Sequence, residues 1–281
     1  MVRKPSALTR IGIVQTVLAS TFVVWLLFFP SRGTQFAWPI APPMSAMFIG
    51  AGFIARTYLG IYLWRQAHWY RLRWQVWGNY AFLAVLLLAT FWHIDEMNWS
   101  SNIWVAHIWV LAYIIEPLIL PLYEPRGEEA RVPLPDELSQ GPVLVGLKRV
   151  LLVGFVVGVA LGLLLFINPQ FMDTRWPWSL DPFDARIMAA FPILTGLWAL
   201  YGYRAVDWAE AKPGVIGSML FTTALFLFWI YNYLLSRFDS SRANILTFGI
   251  TTAAFALLLG YYTYRQERGR QVASTLAGAP G

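Results

Sequence analysis

Eight stretches of the chain stay apolar for long enough to cross a bilayer. A hydrocarbon core of ~30 Å takes ~20 residues of helix, and apolar runs of about that length cover 11–29, 44–64, 76–92, 103–123, 150–167, 185–203, 215–235 and 245–264. None shows the period-two alternation of barrel strands. Backbone groups in lipid must bond within their own segment, so the pattern predicts an all-α membrane protein with eight transmembrane helices.

The polar and turn-forming positions between the runs recur. A shift of 139 residues places Arg10 on Arg149, Pro30 on Pro169, Pro43 on Pro182, and Tyr62, Arg65 and Trp69 on Tyr201, Arg204 and Trp208. With a one-residue gap Trp38-Pro39 falls on Trp176-Pro177, and after a short insertion Asn102-Ile103 falls on Asn244-Ile245. The spacing predicts two tandem four-helix repeats, 1–123 and 147–264, joined by a cytoplasmic linker over 124–146 and followed by a tail over 265–281 expected to lack fixed structure. An even number of helices per unit makes the repeats parallel, related by an axis along the membrane normal.

Composition agrees with a lipid-facing surface: 58% of residues are hydrophobic and 13% charged, outside the range of soluble domains. With no cysteine, disulfides, thiolate nucleophiles, Cys-ligated zinc and iron–sulfur clusters are excluded. The net charge of +6 comes from basic residues at helix ends, which argues for orientation and lipid contact and against nucleic acid as a partner. If the N-terminus is cytoplasmic, fifteen Lys and Arg lie on inner segments and five on outer ones, the latter being Arg32, Arg175, Arg186, Arg237 and Arg242. Both termini are therefore expected inside. The first run has a basic start and small residues at Leu18-Ala19-Ser20 but is longer than a signal-peptide core, so it is expected to remain as a span.

The segments WPWSLDPFDAR, Trp176 to Arg186, and FWHIDEMNW, Phe91 to Trp99, resemble features of uncharacterised bacterial multi-pass integral membrane proteins. That resemblance implies a helical membrane fold and the bacterial cytoplasmic (inner) membrane, and no activity.

Ionisable residues inside a span are costly and mark candidate sites. Arg56 lies twelve positions into the second run and Glu116 thirteen into the fourth, and the two runs cross in the same direction, so both sit at nearly the same depth. They form a candidate substrate or proton site; the competing readings are an ion pair that only fixes packing, and an Arg56 that snorkels to the surface. Pro117 and Pro121 flank Glu116 and free acceptors in its helix. The repeat shift gives Thr195 in place of Arg56 and Leu258 near the place of Glu116, so only the first unit carries the pair.

His93 and His107, with Asp95 between them, offer imidazole and carboxylate for a metal, or two imidazoles for haem, although no specific ligand spacing is present. Trp64, Trp69, Tyr70, Trp74, Trp77, Trp176 and Trp178 read as an interfacial aromatic belt. Gly154, Gly158 and Gly162 form a GxxxGxxxG stripe expected to pack closely on another helix of the bundle. No catalytic motif is found, and no cofactor is required. Three functions stay open: small-solute or proton-linked transport, a scaffold or accessory subunit in a membrane-protein complex, and a haem- or metal-binding membrane protein.

Overall fold

The computed structural model describes residues 6–66, 68–100, 103–127, 134–239, 242 and 244–277. They form eight long helices: α1 (Ser6–Val23, prolonged by a π-helical turn, Val24–Phe28), α2 (Pro43–Arg65), α3 (Arg73–Trp92), α4 (Ile103–Tyr123), α5 (Val145–Ile167), α6 (Pro182–Arg204), α7 (Trp208–Leu234) and α8 (Ile245–Ala277). All eight include a stretch long and apolar enough to cross a membrane, and no strand occurs among the described residues. The chain is a polytopic α-helical membrane protein.

Two helices form the centre. In the apolar, membrane-length stretch of each helix, 72% of α2 and 83% of α6 is buried inside the protein, against 22% of α4 and 17% of α5. The difference lies in side-chain size. Ala46, Gly50, Ala51, Gly52 and Ala55 on α2, and Ala185, Ala189, Ala190, Gly196 and Ala199 on α6, let neighbouring backbones approach, which is how helices gain packing energy where lipid removes the hydrophobic drive. A Cβ on Gly52 would stand 2.2 Å from the ring of Phe191 on α6. Around this centre α1 packs on α2, α5 on α6, α3 on α6 and α7 on α2.

The glycine stripe of α5 packs within the bundle. A Cβ on Gly158 would meet the carbonyl of Pro192 at 2.7 Å, and one on Gly162 the carbonyl of Ala189 at 2.8 Å, both on α6. Gly154 is different, since its nearest neighbours, Phe255 and Ala199, leave ordinary van der Waals room.

Two boundaries depart from the hydropathy pattern. α7 begins at Trp208 rather than near 215, because Asp207 caps it and accepts from the amide of Ala209 at 2.7 Å. α8 runs to Ala277, so 265–277 is helix rather than a structureless tail. Side chains hold it there: Gln266 donates to the carbonyl of Pro142 at 2.8 Å, and Glu267 accepts from the indole of Trp208 at 2.7 Å. The described part of the linker is likewise fastened. Asp207 accepts from the amides of Gln140 and Gly141 at 3.0 and 3.1 Å, and Gly141 takes a φ of +83°, which favours glycine.

Candidate functional site

Inside the first half, three polar side chains from three helices meet on one carboxylate of a fourth. Arg56 of α2 donates from Nη2 to Glu116 Oε1 and Oε2 of α4 at 2.9 and 3.1 Å. Asn79 of α3 donates from Nδ2 to Oε1 at 2.8 Å and accepts from Arg56 Nη1 on its own oxygen. Gln15 of α1 donates to Oε1 at 2.6 Å. The guanidinium also lies over the ring of Phe82, 4.9 Å from its centroid. The depth argument from sequence is realised as a salt bridge, and Arg56 is held there instead of snorkelling.

Oε1 of Glu116 thus takes three donors and Oε2 one, which leaves Oε2 capacity for another donor. The Gln15 side-chain oxygen is buried without a hydrogen-bond partner. Gln15, Arg56 and Glu116, with Arg10, line a cleft of about 430 Å³ whose other walls are largely apolar, among them Leu18, Phe22, Phe53 and Tyr113. Its rim residues Val14, Leu111 and Ile115 are exposed on the outside of the bundle, where α1 and α4 touch only sparingly. The cleft therefore opens sideways, toward lipid. Pro117 removes a donor within α4, yet the helix continues to Tyr123. Sequence reasoning singled out Arg56 and Glu116 but missed Asn79 and Gln15. The available signal was an amide inside an otherwise apolar run.

A second cavity, about 600 Å³, lies among α5, α6, α7 and α8, and its walls include Gly154, Thr195, Ser218, Thr222, Thr252 and Phe255. Arg175, at its rim, is the one charged residue among its described lining residues.

Most of the aromatic residues expected in an interfacial belt turn inward, at both ends of the bundle: Trp176 and Trp178 belong to the second of the two Trp-Pro loops at one end, and Trp64 to the end of α2 and Trp69 and Tyr70 to the α2–α3 connection at the other. Trp69, Tyr70, Trp176 and Trp178 are buried, while Trp64 stays exposed. The loops fold inward because their indoles find acceptors across the bundle. Trp38 donates to Asp184 Oδ1 at 2.8 Å, Ala41 donates its amide to Oδ2 at 3.2 Å, and Trp178 donates to Ser45 Oγ at 3.1 Å. Each loop thus reaches the first turn of the central helix that follows the other loop. Asn98 holds the first loop through the carbonyls of Thr34 and Phe36, and Arg242 the second through those of Trp176 and Trp178.

The histidines do not converge. His93 stacks on Phe183 with centroids 4.7 Å apart, its Nε2 faces Arg186 Nη1 at 2.7 Å and its Nδ1 faces Glu96 at 2.6 Å. A guanidinium beside Nε2 makes that nitrogen the acceptor and puts the ring proton on Nδ1, so both nitrogens are engaged. His107 is exposed and packs edge-on against Trp99, and Asp95 is exposed. Among the described residues no group of three or more His, Asp or Glu is arranged to hold a metal ion, so the ligand set expected from His93, His107 and Asp95 is not assembled.

The opposite end carries structural ion pairs. Arg73 of α3 bonds Glu210 of α7, and Lys212 and Arg270 flank Glu267 at 2.7 and 2.8 Å. These tie α3 to α7 and α7 to α8. No protein-family model, curated protein or solved structure matches this chain.

Proposed function

We propose that the protein is a proton-linked transporter of small solutes in the bacterial cytoplasmic membrane, with both termini inside, built from two tandem parallel four-helix repeats. The observation that carries the reading is the Arg56–Glu116 pair lining a cleft that opens to lipid. In the bundle interior an unpaired guanidinium is costly. Arg56 can leave Glu116 only if another anion takes its place, and Glu116 can then stay buried by taking a proton. Proton and anion would therefore bind together. The apolar walls suit an anion with a hydrophobic body, for which 430 Å³ falls within the usual range of ligand pockets.

Several observations support the duplication. Ile11, Gln15, Leu18, Ala19 and Phe22 line the first cleft, and Val150, Gly154, Val157, Gly158 and Leu161, each 139 residues later, line the second. The exchange of α3 onto α6 and α7 onto α2 has the pattern a twofold axis along the membrane normal would produce. Orientation rests on the excess of basic residues at the linker end.

The test uses octanesulfonate, an anion that brings no proton of its own. Binding to the protein in nanodiscs should take up about one proton per anion in weakly buffered solution, by the linkage of the two sites. Glu116→Gln should still bind the anion and take up none, and Arg56→Met should not bind it. Proton uptake unchanged in Glu116→Gln would remove the carboxylate from the mechanism.

A further inference from the structure

The second cavity has its own chemistry. Its walls are largely apolar, with Val157, Leu161, Phe221, Leu225, Phe248 and Phe255 among them. Three of its hydroxyls have spent their protons within their own helices. Thr195 donates to the carbonyl of Phe191 at 3.0 Å, Thr222 to that of Ser218 at 3.0 Å and Thr252 to that of Phe248 at 2.9 Å.

Two buried donors of lining residues have not. Ser218 Oγ and Trp176 Nε1 are buried with no hydrogen-bond partner, in residues only 6% and 4% exposed. An indole N–H can only donate, and a buried donor without an acceptor is a destabilising feature that native structures rarely keep. The two donors stand at different depths. Between them runs an aromatic wall: Trp176 meets Phe48 at 5.8 Å, Phe48 meets Phe221 at 5.7 Å, and Phe221 lies one helical turn from Ser218. Arg175 is already engaged, with its guanidinium 3.8 Å from the centroid of the Phe171 ring and bonded to Thr174. At the rim Val157, Thr247 and Thr251 are exposed, and α5 and α8 touch sparingly, so this cavity too is reached from the bilayer.

We propose that the cavity among α5, α6, α7 and α8 binds an uncharged lipophile that carries carbonyl oxygens on an extended apolar body, with Ser218 Oγ and Trp176 Nε1 as the two donors. Buried apolar walls supply contact area, and the two donors select carbonyl-bearing molecules over plain hydrocarbon by the penalty of leaving them unmatched. An ester lipid and an isoprenoid quinone share this chemistry. Charged amphiphiles are disfavoured because no free counter-charge lines the interior among the described residues.

Equilibrium binding to the full chain in detergent micelles tests the proposal, with dioleoylglycerol and a short-chain ubiquinone as the two carbonyl probes and hexadecane as the carbonyl-free control. At least one carbonyl probe should bind saturably at one per chain and at least tenfold more tightly than hexadecane; which of them does so identifies the source. Ser218→Ala and Trp176→Phe should each weaken that binding by about tenfold. Gly154→Leu, which places a side chain in the cavity, should abolish it. Ser218→Ala removes a single oxygen and keeps the helix, so it reads the contact even if Trp176→Phe fails to fold. Equal binding of hexadecane, no saturable binding of either carbonyl probe, or unchanged affinity in Ser218→Ala overturns the proposal.

Discussion

The two side-opening cavities have similar surroundings and different linings. The first has at its polar wall an ionic network of Gln15, Arg56, Asn79 and Glu116, and the second half carries Gly154, Thr195 and Ser218 at positions 139 residues beyond the first three, with Leu258 near the place of the fourth. Where the first cleft is narrowed by charged and amide side chains to about 430 Å³, the second, with smaller ones, opens to about 600 Å³. In the duplication we propose, one scaffold has thus kept two lateral cavities and given them opposite polarity. The lesson is that packing and chemistry separate here. Small residues on α2 and α6 hold the helices, and a few substitutions at the cavity walls decide what can enter.

The sharpest way to break the comparison is to convert the first lining toward the second. Arg56→Met or Glu116→Leu alone strands a buried charge and should cost about 3–5 kcal/mol. The double substitution removes both charges and should recover most of that loss, since an apolar pair in place of a buried ion pair is often neutral or better. Unfolding in mixed micelles measures all three. If the losses simply added, the pair would not be a coupled unit, and its role as an exchangeable site would fall with it.

That pair was legible because charge in an apolar run is conspicuous and helical rise fixes its depth. The eight spans were legible for the same reason of contrast. Asn79 and Gln15 were not, because a neutral amide lowers hydropathy too little to stand out, and their role depends on which helices become neighbours. Trp176 and Trp178, buried in the second Trp-Pro loop, were misread as part of an interfacial belt. Tryptophan suits both settings, and only the position of Ser45 across the bundle decides between them. The length of α8 escaped because Gln266 and Glu267 extend the helix by polar anchoring, to which a hydropathy window is blind.

The loops sharpen the comparison at the other end of the protein. Asp184 takes the indole of Trp38, the amide of Ala41 and the side chain of Ser45, whereas Ser45 accepts from Trp178. Each buried donor left unmatched costs about 1–3 kcal/mol. Asp184→Leu should therefore destabilise more than Ser45→Ala, read as the shift in unfolding midpoint. Equal losses would mean that the additional bonds to Asp184 contribute nothing and that the two loops are energetically alike.

The smallest effects should come from the glycine stripe, and they test whether cavity and packing are separable. Gly158→Ala and Gly162→Ala drive a methyl group to 2.7 and 2.4 Å from atoms of α6, a carbonyl oxygen in the first case, so α5 must move away and about 1–3 kcal/mol should be lost. Gly154→Ala meets only ordinary contacts at 3.5 and 3.6 Å, at the wall of the second cavity. Its stability should stay within about 0.5 kcal/mol of the unsubstituted chain, because nothing has to shift. Three glycines on one helix face would then divide into two that hold α5 to α6 and one that keeps the cavity open. A loss at Gly154 as large as at Gly158 would mean that α5 closes on its neighbours along the whole stripe, leaving no room between α5 and α8 for a ligand.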